Sequence, residues 1–108
     1  MPGRTFRVIF AREAESDLYE IRDYWISRGE AGRGNKYFLD LLNKAETTLR
    51  NPASARSGRK PRDVDAPDVR EIVAFKHSYR ILYRLNETRG VVEVLRFWHS
   101  HRDTPPIQ

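Results

Sequence analysis

The spacing of apolar residues changes near the middle of this chain, and that change constrains the fold more than any other feature. Apolar side chains first recur every three or four residues, in two stripes: Ala14, Leu18, Ile21 and Trp25, then Phe38, Leu41, Leu42, Ala45 and Leu49. This spacing predicts two amphipathic helices, over about 11–28 and 34–50. From Val69 onward apolar and polar residues alternate, which is typical of strands. The pattern therefore predicts helices first and most of a sheet afterwards.

Turn residues and β-formers complete the order of elements. A short β-rich segment, Phe6–Phe10, precedes the helices, and Gly29 and Gly32 are expected to end the first of them. Pro52 should stop the second helix. Three strands follow, over Val69–Phe75, Tyr79–Leu85 and Val91–Trp98. We predict an α+β fold of order β-α-α-β-β-β, with a helical hairpin packed on one face of a mainly antiparallel, twisted sheet.

Two segments carry no periodic pattern. Residues 51–68 are expected to form one long loop, basic over 56–62, and loops of that length are often functional or mobile. The tail 99–108 contains Pro105 and Pro106 and should not be helical. A length of 108 residues predicts a single domain over 1–108.

Composition excludes several kinds of chemistry. The chain has no cysteine, which rules out disulfides, thiolate nucleophiles and cysteine-based zinc sites. The histidines His77, His99 and His101 lack a ligand set at metal-binding spacing, so we expect no metal and no cofactor. No apolar run has the length of a signal peptide or a membrane span, and we expect a cytoplasmic protein with no membrane partner.

The charge balance is basic, with 20 Lys and Arg against 15 Asp and Glu and a net charge of +5. Nearly all of the excess comes from arginine, whose planar fork suits phosphates and carboxylates alike. Nucleic acid, a nucleoprotein machine and an acidic protein are all compatible partners, and so is a merely solvated surface.

The basic residues of the last three strands form the candidate site. Arg80 and Arg84 should share one side of their strand, because side chains alternate. Arginines beside a histidine could stabilise metal-free RNA cleavage, in which the 2′-hydroxyl attacks the adjacent phosphate. The alternative is that the arginines pair with acids within the protein. The pattern alone leaves both open. The residues concerned are Arg70, Arg80, Arg84, Arg96, Arg102, His99 and His101.

An ordered set of motifs resembles a known family over nearly the whole chain. The motifs are Ala14-x-x-Asp17-Leu18-x-x-Ile21-x-x-Tyr24, Leu49-x-x-Pro52 with Gly58 shortly after, Arg70-Glu71, Tyr79-Arg80-Ile81-Leu82-Tyr83-Arg84, and Val94-Leu95-Arg96-Phe97-Trp98-His99-Ser100-His101-Arg102-Asp103. Together they are similar to the RelE/ParE toxins of type II toxin–antitoxin systems, and closer to the ParE branch.

The resemblance implies a cognate antitoxin and one of two targets. ParE-like members inhibit DNA gyrase, and RelE-like members cleave mRNA in the ribosomal A site. Arg70 and Arg80 occupy positions of phosphate-binding arginines in the nucleases, and His99 resembles a C-terminal histidine that some of them carry. The nucleases commonly also have a catalytic tyrosine near the C-terminus, and residues 99–108 contain none.

We therefore expect a toxin that binds gyrase rather than an enzyme. The expected target-binding residues are Arg70, Arg80, Arg84, His99 and Arg102. The first alternative is a ribosome-dependent, metal-independent endoribonuclease using Arg70, Arg80 and His99. The second is a family member that binds its antitoxin without being toxic. The antitoxin should be acidic where it binds, disordered when alone, and placed along the helical hairpin and the sheet edge.

Overall fold

A computed structural model describes residues 4–107. Its elements are β1 (Arg7–Phe10), α1 (Arg12–Ser27), α2 (Ala31–Leu49), α3 (Pro52–Arg56), β2 (Val69–Ala74), β3 (Tyr79–Asn86) and β4 (Val91–His99). The predicted α+β class and the order of its six elements are confirmed. The prediction of one domain over 1–108 stays a prediction, and its residues 1–3 and 108 lie outside the described part.

Two details of the predicted elements are wrong. Residues 51–68 are not all loop, because Pro52 starts the short helix α3 after stopping α2. Asn51 caps α3, its side-chain oxygen accepting hydrogen bonds from the backbone N–H groups of Ala53 and Ser54 at 3.0 and 3.3 Å. The second helix begins at Ala31, so Gly32 lies inside α2 instead of ending α1.

A close approach of backbones joins the two long helices. Gly34 of α2 is buried against α1, and a Cβ atom there would lie 2.6 Å from the carbonyl oxygen of Arg22. Only glycine fits this contact without a shift of one helix. The hairpin therefore has a fixed crossing point near its own turn.

The sheet has strand order β1-β4-β3-β2. The pairs β2/β3 and β3/β4 are antiparallel, and the first strand joins β4 in parallel. Arg80 lies opposite Trp98 and Tyr79 opposite His99, while the β3/β4 register shifts between Leu82 and Tyr83. The sheet is thus mainly antiparallel, as predicted.

Each side of the sheet has its own cluster of buried apolar residues. On the side that we call the helix face, α1 and α2 pack against Ile81, Tyr83 and Phe97. On the opposite side, the open face, a smaller cluster is formed by Val69, Leu82, Leu95 and Trp98. The odd residues of β3 point to the helices and the even ones to the open face, which assigns Arg80 and Arg84 to the open face.

Loops cover part of the open face. Val64 and Ala66 pack on its apolar cluster from one side and Ile107 from the tail. The tail is fixed by Pro105, which is fully buried, and by the indole N–H of Trp98, which donates to the carbonyl of Asp103 at 2.6 Å. Within residues 4–107, no helix has the length and apolar character needed to cross a membrane.

Candidate target-binding surface

Arg80 lies at the centre of an ion-pair network on the open face. Its Nε donates to Glu71 at 2.7 Å, and its two terminal nitrogens donate to Asp63 at 2.9 and 2.7 Å. Glu71 is 4% exposed and also accepts from Arg59 at 2.7 Å. The hydrogen bonds from Arg80 hold the pKa of Asp63 below its usual value. Arg80 is therefore a buried bridge between strand and loop, not a free cation.

The other two predicted strand arginines lie on different faces. Arg84 is on the open face, and its Nε contacts Asp68 at 2.7 Å. Arg70 is half-buried on the helix face, opposite Tyr83, and donates to the carbonyl oxygen of Gly58 at 2.9 Å. Arg70 thus helps to hold the start of the long loop.

His99 and Arg102 lie where β4 ends. His99 faces the helices, with its ring edge-to-face on Tyr79 at 5.2 Å, and its Nδ1 accepts from the backbone N–H of His101. Burial lowers the pKa of His99, and the neighbouring His101 and Arg102 lower it further. The guanidinium of Arg102 lies 3.9 Å from the centre of the Trp98 ring. These positions favour an uncharged imidazole beside an exposed guanidinium.

The five predicted residues do not form one site. Arg80 and Arg84 occupy the open face, whereas Arg70 and His99 occupy the helix face at opposite ends of the sheet. The trio Arg70, Arg80 and His99, expected for RNA cleavage, is likewise not brought together. Tyr79 and Tyr83 are buried, which raises the pKa of each phenol, and neither is placed to move a proton on the open face.

A cationic cleft next to Arg80 was missed as a unit by the sequence interpretation. It has a volume of about 670 Å³ and joins the long loop to the β2–β3 turn. Lys60 and Arg62 are exposed there, and neither forms an ion pair within residues 4–107. The basic residues and the histidine of this cationic cleft are Arg59, Lys60, Arg62, Arg80 and His77, and the carboxylates of Asp63 and Glu71 also line it.

The β2–β3 turn directs His77 into the cationic cleft through an unusual backbone. Phe75, Lys76 and His77 have φ values of 54°, 53° and 71°. Side chains other than glycine rarely adopt this conformation, and each such residue costs about 1 kcal/mol. Ser100 supports the turn, since its hydroxyl and backbone N–H donate to the carbonyls of His77 and Ser78. The basic composition of 56–62 was the only sequence signal for the cleft.

The contacts within the cationic cleft determine which kind of ligand it can bind. Two carboxylates in the cationic cleft, Asp63 and Glu71, are already neutralised by Arg80 and Arg59. The remaining exposed cations favour binding of an anionic surface. Among residues 4–107, no group of three or more histidines and acids is arranged to hold a metal ion.

Comparison with known proteins places this arrangement in a family. A search of curated proteins gives no match. Among solved structures, the chain is similar to a chain of the chromosomal ParDE system from P. aeruginosa, with 18% identity, a TM-score of 0.72, and coverage of 90% of this chain and 98% of that one. A chain of the RelBE2 toxin–antitoxin complex from Mycobacterium tuberculosis follows at 21% identity, TM-score 0.64 and coverage of 88% and 98%.

A mutant of the E. coli toxin RelE in the free state is similar at 16% identity, TM-score 0.61 and coverage of 90% and 85%. At these identities the structures establish a shared fold. The family model of the ParE toxin of the type II toxin–antitoxin system parDE matches residues 8–104, which span β1 to the tail. The chain therefore belongs to the ParE toxin family of type II toxin–antitoxin systems.

Proposed function

We propose that this chain is a toxin that inhibits DNA gyrase by binding, and that a cognate antitoxin neutralises it in the cytoplasm. Membership of the ParE family supports the target. The observation that carries the proposal is the separation of Arg80 from His99. Arg80 is saturated by two carboxylates on the open face, and His99 lies on the helix face. Because the histidine expected to move the proton does not lie beside Arg80, this separation supports binding better than catalysis.

The proposed target-binding surface is the open face around the cationic cleft. Lys60 and Arg62 supply exposed charge there. We also assign to this surface Arg84, which pairs with Asp68, and the exposed Arg102 of the tail. Arg80 acts as a positioning residue that holds the loop against the sheet. Gyrase–DNA complexes present phosphates and acidic side chains, both of which guanidinium groups recognise.

We place the antitoxin on the opposite side of the molecule. The outer surface of the helical hairpin exposes large apolar side chains, and arginines stack on several of its rings. Arg22 lies 4.9 Å from the Tyr19 ring and Arg28 4.7 Å from the Tyr24 ring. An acidic amphipathic segment would bury these rings and pair with the arginines. The exposed apolar side chains are Tyr19, Tyr24, Ile26 and Leu39.

The decisive experiment measures gyrase supercoiling and trapped cleavage complexes with purified toxin. We expect inhibition near stoichiometric toxin and relief by the antitoxin. The double variant Lys60→Glu/Arg62→Glu should weaken inhibition by about tenfold or more, because the charge facing the target is reversed. The control Lys44→Glu/Arg50→Glu makes the same charge change at exposed positions of α2 and its end, and should remain inhibitory. Absence of inhibition at excess toxin would refute the gyrase target.

One observation keeps the ribonuclease as a second candidate. His77 lines the cationic cleft together with Arg80, so a histidine does lie near an arginine on the open face, although not His99. Primer extension on translating mRNA tests this activity. Cuts at codon spacing that disappear in His77→Ala would replace the gyrase proposal. Normal growth after expression without antitoxin would instead support a family member that is not toxic.

A further inference from the structure

A second cavity opens on the helix face, between α1 and the end of β4. Its volume is about 610 Å³, within the range of small-molecule sites. Tyr24 and Trp25 come from α1, and Tyr79 and Phe97 come from the sheet. This aromatic cavity does not include Arg80 or any residue of the cationic cleft.

Ring contacts hold the walls of the aromatic cavity in place. Tyr24 meets Trp25 edge-to-face at 5.1 Å, Trp25 stacks on Tyr37 at 5.6 Å, and Tyr37 contacts Tyr79 at 5.8 Å. Tyr79 meets His99 edge-to-face at 5.2 Å. A wall of connected rings offers π-faces to a flat ligand at little cost in side-chain entropy.

The surroundings of two titratable rings of the aromatic cavity, those of Tyr79 and His99, favour their uncharged forms. Burial raises the pKa of the Tyr79 phenol and lowers the pKa of the His99 imidazole. The indole Nε1 of Trp25 is buried and interacts with the Tyr79 hydroxyl without reaching full hydrogen-bond geometry.

Two opposite charges lie at the mouth of the aromatic cavity. Glu20 of α1 and Arg102 of the tail are both exposed and line it. Within the described chain neither forms an ion pair, whereas the nearby carboxylate of Asp17 is occupied by Arg96 and by the backbone N–H of Phe97. The carboxylate of Glu20 can therefore pair with a ligand, and so can the guanidinium of Arg102, which stacks on the Trp98 ring at 3.9 Å.

This set of groups selects one kind of heterocycle. A carboxylate accepts two adjacent N–H donors, which guanine presents on its Watson–Crick edge through N1–H and the 2-amino group. Adenine presents an acceptor at the corresponding ring nitrogen, which the carboxylate would repel. A guanidinium pairs with phosphate oxygens. We propose that the aromatic cavity binds a guanine nucleotide, with its base against the rings, Glu20 on its Watson–Crick edge and Arg102 on its phosphate.

The site does not depend on the proposed function, and NMR of the full-length chain tests it directly. The chain has two tryptophans, so a ¹⁵N spectrum holds two indole signals. Trp25 lines the aromatic cavity, whereas Trp98 belongs to the cluster of the open face. Titration with GMP should shift the Trp25 indole signal, and guanosine, which has no phosphate to engage the Arg102 that stacks on Trp98, should shift Trp25 and leave Trp98 unchanged. Trp98→Phe serves only to assign the two signals.

Competing nucleotides and matched variants sharpen the test. AMP should bind at least tenfold more weakly than GMP. Glu20→Gln should weaken GMP binding at least tenfold, and Glu15→Gln, an exposed change on the same helix outside the cavity, should not. Arg102→Gln should weaken binding of GMP but not of guanosine. No shift of the Trp25 signal at millimolar GMP, equal binding of AMP, or unchanged binding by Glu20→Gln would each overturn the proposal.

Discussion

The two faces of the sheet are built on different physical principles. The helix face buries a large apolar cluster under α1 and α2, with Leu41, Ile81 and Tyr83 fully buried. Within residues 4–107, the apolar cluster of the open face has four buried residues, and ion pairs link the strands of this face to the long loop. A large, closely packed apolar core tolerates few substitutions. A surface made of loops and charged side chains can change in sequence to suit a different partner. The helix face therefore sets the fold, whereas the open face is the side to which the proposed function assigns the target.

Matched leucines give the largest test of this difference. Leu41 lies on the helix face and Leu82 on the open face, and both are fully buried. Leu41→Ala should lower the free energy of unfolding by about 4 kcal/mol, and Leu82→Ala by about 2 kcal/mol, because loops collapse into a cavity more easily than helices do. Urea denaturation measures both. Equal losses would show that the open face is packed as rigidly as the helix face.

Substitution of two buried carboxylates compares the stability of the two faces through smaller effects. Asp17 ties α1 to β4 through a bidentate pair with Arg96, and Glu71 ties β2 to Arg59 and Arg80. Asp17→Asn should lower the free energy of unfolding by about 3 kcal/mol, because Arg96 loses the carboxylate with which it pairs in residues 4–107. Glu71→Gln should cost about 1–2 kcal/mol, because Asp63 still pairs with Arg80.

A double-mutant cycle provides the control for this prediction. Adding Arg96→Leu to Asp17→Asn should recover part of the lost stability, since no unpaired guanidinium then remains half-buried. Thermal melting of the two single variants and the double variant measures the coupling. A larger loss in Glu71→Gln than in Asp17→Asn would mean that the loop, and not α1, is the element on which the sheet depends.

The sequence predicted the helix face better than the open face, for a physical reason. Helices and strands follow from local periodicity, and the alternation along β3 correctly placed Arg80 and Arg84 on one side. The partners Glu71 and Asp63 depend on how a long loop closes, which no local pattern encodes. The direction of His77 depends on a left-handed turn without glycine. These non-local contacts decide which arginines remain free.

Gly58 shows what a sequence motif can and cannot reveal. The motif set places Gly58 shortly after Pro52, but the structural role of Gly58 is a contact with a distant residue. A Cβ atom at Gly58 would overlap the hydroxyl oxygen of Tyr83, whose O–H donates to the carbonyl of Ala55 at 2.6 Å. The need for glycine at this position comes from Tyr83, which is distant in sequence. It is therefore recognised only when the structure shows both residues together.

The smallest predicted effect is a difference in pH dependence between the two faces. On the helix face, burial and two neighbouring cationic or titratable groups lower the pKa of His99 from its ordinary 6.5. The unfolded chain then binds the proton more readily than the folded one, so stability should fall as the pH drops from about 7 to about 5. On the open face, Arg80 lowers the pKa of Asp63 from 3.8, and that contribution should be lost only as the pH falls below about 4. Urea denaturation at a series of pH values measures both effects. His99→Asn should remove the loss of stability between about pH 7 and about pH 5, and Asp63→Asn should remove the loss below about pH 4. If Asp63→Asn instead changed the stability between about pH 7 and about pH 5, a group other than those that pair with Arg80 would have to titrate on the open face. The two faces would then not differ in their pH dependence.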